Sequence, residues 1–298
     1  MKLATYQDGS RDGHLVVVSR DLSMAHYATG IATRLQQVLD DWNFLSPQLQ
    51  DLYDALNQGR ARHAFPFDPA LAMAPLPRAS RYVAADQEGQ GQGLRLHERA
   101  PDGLLGVADE AAVPHGFDGA DFGARLVVVT ADIAAGASAE TGLEGVRLLG
   151  LACELAVVDR DAMRRPWTTS FAPVLCTPDE AGTGWAAGRL QAQVQVQVNG
   201  RKFGLADAGR DTRACAGVWL RELARHRQVH AGTLVAGPVL TPTDGSLGYA
   251  SLHDRREAEK ADQGEPRTPW LQRGDHVRVE AKAPEGAPLF GAATVTLA

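Results

Sequence analysis

Cysteine, lysine and aromatic residues are all scarce in this 298-residue chain. Its three cysteines, Cys153, Cys176 and Cys215, stand far apart with no Cys-x-x-Cys pair. That excludes a disulfide framework and a structural zinc site, and leaves reduced thiols in the core. Only Lys2, Lys202, Lys260 and Lys282 are lysines, and none falls in an apolar stretch that would depress an amine pKa, which argues against Schiff-base chemistry. No run approaches 18 apolar residues, and the first residues, Met1 to Asp8, hold no apolar segment followed by a cleavage site. The expectation is a cytoplasmic protein with no membrane partner. A net charge of −6 gives no basic surface for nucleic acid.

What is present is ordinary globular material: 44% hydrophobic and 22% charged residues, enough to bury a sizeable core. The chain opens with a hairpin, Lys2–Tyr6 and His14–Ser19 around glycine-rich turns. Leu35, Val38, Leu39 and Trp42 recur at helical spacing, and a second helix is predicted from Ser46 with Pro47 at its first position and Gly59 as its stop. Four prolines between Phe65 and Pro77 mark a crossover, so a small N-terminal domain is placed at 1–75 and a larger one at 76–298. Residues Arg78 to Asp118 read as loop, with the Gln87–Gly93 stretch too glycine-rich for regular structure. Apolar runs at Arg125–Thr130, Arg147–Val158 and Val174–Thr177 have strand character. The Gln191–Val198 alternation closed by Asn199-Gly200 predicts a hairpin with Val194, Val196 and Val198 buried. A helix from about Thr212 to His226 precedes strands at Thr233–Val239, His276–Glu280 and Thr294–Leu297. The fold class is therefore α+β and β-rich, not a doubly wound nucleotide fold.

No Gly-x-Gly-x-x-Gly, phosphate loop or Gly-x-Ser-x-Gly elbow occurs. His226 and His230 are four apart but have no carboxylate or thiol at ligand spacing, so they read as surface or helix-end residues. Asp159 to Trp167 sets three arginines and two aspartates beside an aromatic, a composition that either grips a carboxylate or neutralises itself in solvent. Asp254 to Lys260 alternates sign as a solvated helical face does.

Several blocks resemble the fumarylacetoacetate hydrolase family in its two-domain bacterial form. They include Met1–Thr5, Met73–Arg78, Asp121–Asp132, Ser170–Val174, Val198–Gly204, Asp207–Gly209, His230–Val235, Gln263–Leu271, Arg273–Glu280 and Leu289–Ala292, in the family's order along nearly the whole chain. The resemblance implies a mixed β-sheet roll around a divalent ion. It also implies a reaction on small 2-oxo or β-diketo carboxylates (hydrolysis, decarboxylation or tautomerisation) and a dimer. The family's strand motif Asp-Phe-Glu-x-Glu-Leu reads Asp121-Phe122-Gly123-Ala124-Arg125-Leu126 here, so one carboxylate becomes hydrogen and the other a cation. The later Asn-Asp is closest to Cys153-Glu154. The early aspartate and its histidine seven residues on would align near Ala84 and Gly91, and the nearby Asp86 and His97 do not keep that spacing. The family's lysine falls at Arg165, its threonine at Pro238 or Val239, and the loops near 85–115 and 157–169 are shortened.

Magnesium requires several hard oxygens, so the expectation is no metal and no cofactor. The site residues implied are Arg125 as anion holder, Glu154 as acid or base, and Arg164 and Arg165 as clamps on a small carboxylate ligand. Two functions stay open: a metal-independent enzyme on the family scaffold, or an inactive relative that binds a metabolite. The second could also pair with an active paralogue, so that the dimer is a homodimer or a heterodimer.

Overall fold

The computed structural model describes all residues except 88–92, 159–162 and 213. The expected loop at Gln87–Gly93 and the first half of the Asp159–Trp167 charge cluster thus lie mostly outside the described residues. The fold is strand-rich and built on two mixed sheets. A twelve-stranded sheet carries, in spatial order, the N-terminal strands Phe65–Pro66, Met24–Tyr27, His14–Val18 and Lys2–Tyr6. It continues through Leu175–Cys176, the two long strands Val146–Val158 and Ala120–Thr130, then Leu234–Ala236, Tyr82–Gln87 and Leu94–Arg99; off this path Arg164–Phe171 pairs with Val146–Val158 and Leu104–Leu105 pairs with Arg164–Phe171. A five-stranded sheet runs Arg201–Asp207, Gln193–Val198, His276–Lys282, Pro288–Leu297 and Glu110–Ala111. Among the described residues no helix is long and apolar enough to cross a membrane.

The two long strands organise the molecule. Every residue of Ala120–Thr130 is buried, as expected for a central strand covered on both faces. Alternation sends Phe122, Ala124, Leu126 and Val128 into the core shared with the five-stranded sheet. Val127 and Val129 go into a second core beneath the N-terminal helices. The antiparallel register sets Arg125 opposite Ala152, Gly123 opposite Glu154 and Asp121 opposite Ala156. That second face is therefore dry at one end and charged at the other.

Five local expectations are corrected. The second N-terminal helix spans Trp42–Asn57, so Pro47 lies inside it rather than at its start. The stretch 78–118 carries strands where loop was expected: Tyr82–Gln87 and Leu94–Arg99 pair antiparallel on the sheet edge, with Leu94 and Leu96 packed toward the core. The helix predicted to reach His226 is only Ala216–Leu223, which leaves His226 exposed beyond its end. Lys2 is buried, and desolvation lowers its pKa. Its ammonium donates to the carbonyls of Arg20 and Pro288, both at 2.7 Å. At the Asn199-Gly200 turn both residues have positive φ, 51° and 73°, as the hairpin requires, though Val198 is only half-buried. The strands of residues 1–75 share one sheet with the remainder through the pairing of Lys2 and Leu3 with Cys176 and Leu175.

Candidate functional site

At the charged end of the long strands an open cavity of about 550 Å³ is floored by Arg125, Glu154 and Ala156. The 82–99 hairpin supplies one wall through Asp86, His97 and Arg99, which strand alternation and register place on one face. The strand Arg164–Phe171 supplies Arg164 and Pro166. The remaining wall comes from Pro238, Val239 and Thr241 and from Ser251, His253 and Asp254 at the start of the helix Leu252–Gln263.

Four charged side chains close on one another at the floor. Arg125 donates from Nη2 to Asp86 Oδ1 at 2.6 Å and to Glu154 Oε1 at 2.9 Å. Its Nη1 donates to the carbonyls of Gly237 at 2.8 Å and Ala85 at 3.2 Å. Arg99 completes the ring, with Nε on Glu154 Oε2 at 3.0 Å and Nη2 on Asp86 Oδ2 at 2.8 Å. Four oxygens thus surround the Arg125 guanidinium, whose side chain is 3% exposed. Burial opposes its charge, but Glu154 and Asp86 outweigh that and raise its pKa. Burial likewise opposes charge on Asp86, and Arg125 and Arg99 together hold its carboxyl below the usual range.

A second pair stands near the helix. Asp121 is buried, takes the backbone N–H groups of Leu252 and His253 on Oδ1 at 2.9 and 3.1 Å, and takes Arg164 Nη1 on Oδ2 at 3.0 Å. Desolvation raises its pKa, and Arg164 offsets only part of that rise. Asp254 accepts the Thr241 hydroxyl at 3.2 Å. Gly123 leaves no vacant space: a Cβ there would come within 2.7 Å of Val239 Cγ2. The Cys153 thiol, buried on the opposite face, has its pKa raised by desolvation, which disfavours the nucleophilic thiolate.

Of the residues singled out from sequence, Arg125, Glu154 and Arg164 therefore meet at one cavity. Arg165 does not line it: it pairs opposite Val157, one residue out of phase with Arg164 and Pro166, and so occupies the other face of its strand. Asp86 and His97, set aside for their spacing, do line the cavity, because a hairpin rather than a loop carries them. Arg99, Asp121, Thr241, His253 and Asp254 were missed. The only signal for Arg99 was the Leu94-Arg95-Leu96-His97 alternation, hidden behind the glycine-rich stretch. Among the described residues no group of three or more His, Cys, Asp or Glu is arranged to hold a metal ion.

Residues 1–78 match the family model described as fumarylacetoacetase N-terminal domain 2. No curated protein matches the chain. A probable 2-hydroxyhepta-2,4-diene-1,7-dioate isomerase from Mycobacterium abscessus superposes with TM-score 0.71 at 13% identity, covering 100% of this chain and 98% of that one. A maleylpyruvate hydrolase from Sphingobium sp. SYK-6, solved with manganese(II) and pyruvate, gives 0.70 at 15% identity with coverages of 100% and 98%. A fumarylacetoacetate hydrolase from Exiguobacterium antarcticum gives 0.67 at 17% identity with coverages of 100% and 99%. This chain has the fumarylacetoacetate hydrolase fold. The likeness spans the whole chain, so the resemblance read from the sequence blocks holds at the level of fold. Within that fumarylacetoacetate hydrolase fold, the two long strands and the 82–99 hairpin build the cavity.

Proposed function

We propose that this chain binds a small 2-oxo or β-diketo carboxylate in the cavity and acts on it without a divalent metal. The chemistry would be of the carbon–carbon hydrolysis, decarboxylation or tautomerisation type. The observation that carries the metal-free reading is the Arg125 guanidinium inside four oxygens. A dication needs several oxygens free to converge on it, whereas here both carboxylates of the floor are shared between two guanidiniums and their charge is already balanced. The residues present do not suit Mg²⁺ or Mn²⁺, and no step is assigned to one.

Arg125 then acts as a fixed positive charge that holds Glu154 and Asp86 in place. Arg99 and Arg164 are less buried than Arg125, at 12% and 39% exposure against 3%, and they present guanidinium edges to a ligand carboxylate. Glu154, His97 and His253 are the groups in reach for proton transfer. We take the protein to be cytoplasmic and dimeric.

A specific observation also favours the non-catalytic reading, a metabolite-binding protein or the partner of an active paralogue in a heterodimer. Both oxygens of Glu154 are engaged by arginines, so the floor offers no uncommitted base. The experiment is turnover of acylpyruvates and oxaloacetate with and without a chelator, alongside Arg99→Ala. Chelator-insensitive turnover that Arg99→Ala abolishes supports the enzyme. Turnover that the chelator removes and manganese restores would overturn the metal-free reading. Ligand-induced thermal shift without turnover would favour the binding protein.

A further inference from the structure

Asp121 stands behind the cavity wall rather than in it: its side chain is 3% exposed and is not part of the lining. Strand order puts it there. The segment Ala250–Ser251 runs antiparallel beside the strand Ala120–Thr130, with Ser251 opposite Gly123 and the Ala124 N–H on the Ala250 carbonyl at 3.0 Å. The helix Leu252–Gln263 therefore begins against Asp121. Its first two N–H groups, of Leu252 and His253, go to Asp121 Oδ1, and the next, of Asp254, goes to the Ser251 hydroxyl at 3.1 Å. Side chains thus satisfy donors that a helix end cannot satisfy by itself, and two of those donors depend on a residue far away in sequence. The other oxygen, Oδ2, takes Arg164 Nη1 from the strand on the far side of Val146–Val158. Every one of these bonds is accepted, the pattern of an ionised carboxylate.

We infer that Asp121 is a positioning residue of the site: one buried carboxylate fixes both Arg164 and the helix start that carries His253 and Asp254 into the cavity wall. The inference rests on the carboxylate-binding reading above, in which Arg164 meets the ligand. A guanidinium 39% exposed has many rotamers open to it, and ordering it on a ligand would cost side-chain entropy. Holding Nη1 from behind removes that freedom beforehand, while Arg164 still lines the cavity. The two oxygens act on different elements, Oδ1 on the helix and Oδ2 on Arg164. Asparagine tells them apart. Its amide oxygen can still accept the helix N–H groups, whereas its NH2 group would meet Arg164 donor to donor.

The test is calorimetric titration of the full chain with pyruvate and with oxaloacetate, beside hydrogen-exchange mass spectrometry of residues 250–256. Asp121→Asn should weaken binding about fivefold or more, as Arg164→Ala should, while exchange at Leu252 and His253 changes less than about threefold. The double variant Asp121→Asn/Arg164→Ala should bind within about twofold of the weaker single variant, because the carboxylate acts on the ligand through Arg164. Asp121→Ala should also speed exchange at Leu252 and His253 by about tenfold or more. Should the asparagine variant fold poorly, Asp121→Ser, which also frees Arg164, takes its place in the double-variant cycle. A merely structural Asp121 would lower Tm and leave the cycle additive, and that result overturns the inference while the carboxylate site stands. Tighter binding by Asp121→Asn overturns it too, since Asp121 would then compete with the ligand for Arg164. Unchanged binding by Arg164→Ala, or no binding of either acid by the unaltered chain, overturns the carboxylate role of Arg164 and with it that half of the inference. The exchange rates of Leu252 and His253 decide the helix half in every case.

Discussion

Replacing Arg125 by leucine removes one cation from a buried ring of four charges and leaves Asp86 and Glu154 to share Arg99 alone. Arg125 is 3% exposed and Glu154 7%, so neither solvent nor salt can make up the loss. Breaking a buried pair from one side costs about 3–5 kcal/mol, and the abandoned carbonyls of Ala85 and Gly237 add to it. For a chain of this size that corresponds to a fall in Tm of roughly 5–8 °C. Glu154→Leu should cost a similar amount, because it leaves two guanidiniums facing Asp86 alone. The double variant Arg125→Leu/Glu154→Leu is different. It leaves Arg99 on Asp86 at 2.8 Å, a balanced pair, and fills the rest with apolar volume. Its loss should therefore be only about 1–2 kcal/mol, less than either single change, because the cost of each single lies mainly in the charge it strands. Urea and thermal unfolding of the three variants followed by circular dichroism measure this directly. A double variant that loses the sum of the two singles would show that the ring is not one electrostatic unit and that the charge-balance reasoning fails.

Two further outcomes follow from local geometry. Gly123→Ala should destabilise by about 1–3 kcal/mol, since its Cβ would lie 2.7 Å from Val239 Cγ2, and Gly123→Ala/Val239→Ala should recover part of that in the same unfolding assay. Burial opposes charge on Glu259, but hydrogen bonds from Thr268, Arg267 and Arg255 outweigh it and hold the carboxyl at about 2, below its ordinary 4.5. Its stabilisation is therefore fully present above about pH 4.5 and lost as pH falls toward 2. Glu259→Gln should lower stability by about 1–3 kcal/mol at neutral pH, allowing for solvent screening, and by progressively less in acid. A Tm difference that does not depend on pH between 2 and 6 would sink that assignment.

Local pattern made part of the cavity legible in advance. The run Asp121 to Thr130 announces a strand buried on both faces, and its period of two already puts Asp121, Gly123 and Arg125 on one side. Phase also separates Arg164 from Arg165, although no single residue of that pair reveals which one faces inward. The hairpin wall was harder to see. Glycine-rich composition around residues 88–93 outweighed a short alternation at 94–97, so Asp86 and His97 were taken as loop residues with the wrong spacing and Arg99 was passed over. Spacing along the chain is a poor guide there, because the register across a hairpin decides which residues face the same way.

Composition and periodicity settled the class of the protein, its strand-rich character and the absence of the common catalytic signatures. Those properties depend on each residue's own chemistry and its near neighbours, which a linear string contains. The partners of the charges were decided only by tertiary structure. Arg99 meets Glu154 from 55 positions away, and Asp121 meets the helix start from 131. Such meetings depend on sheet order and register, and it is those long-range pairings that turn scattered ionisable residues into a balanced ring.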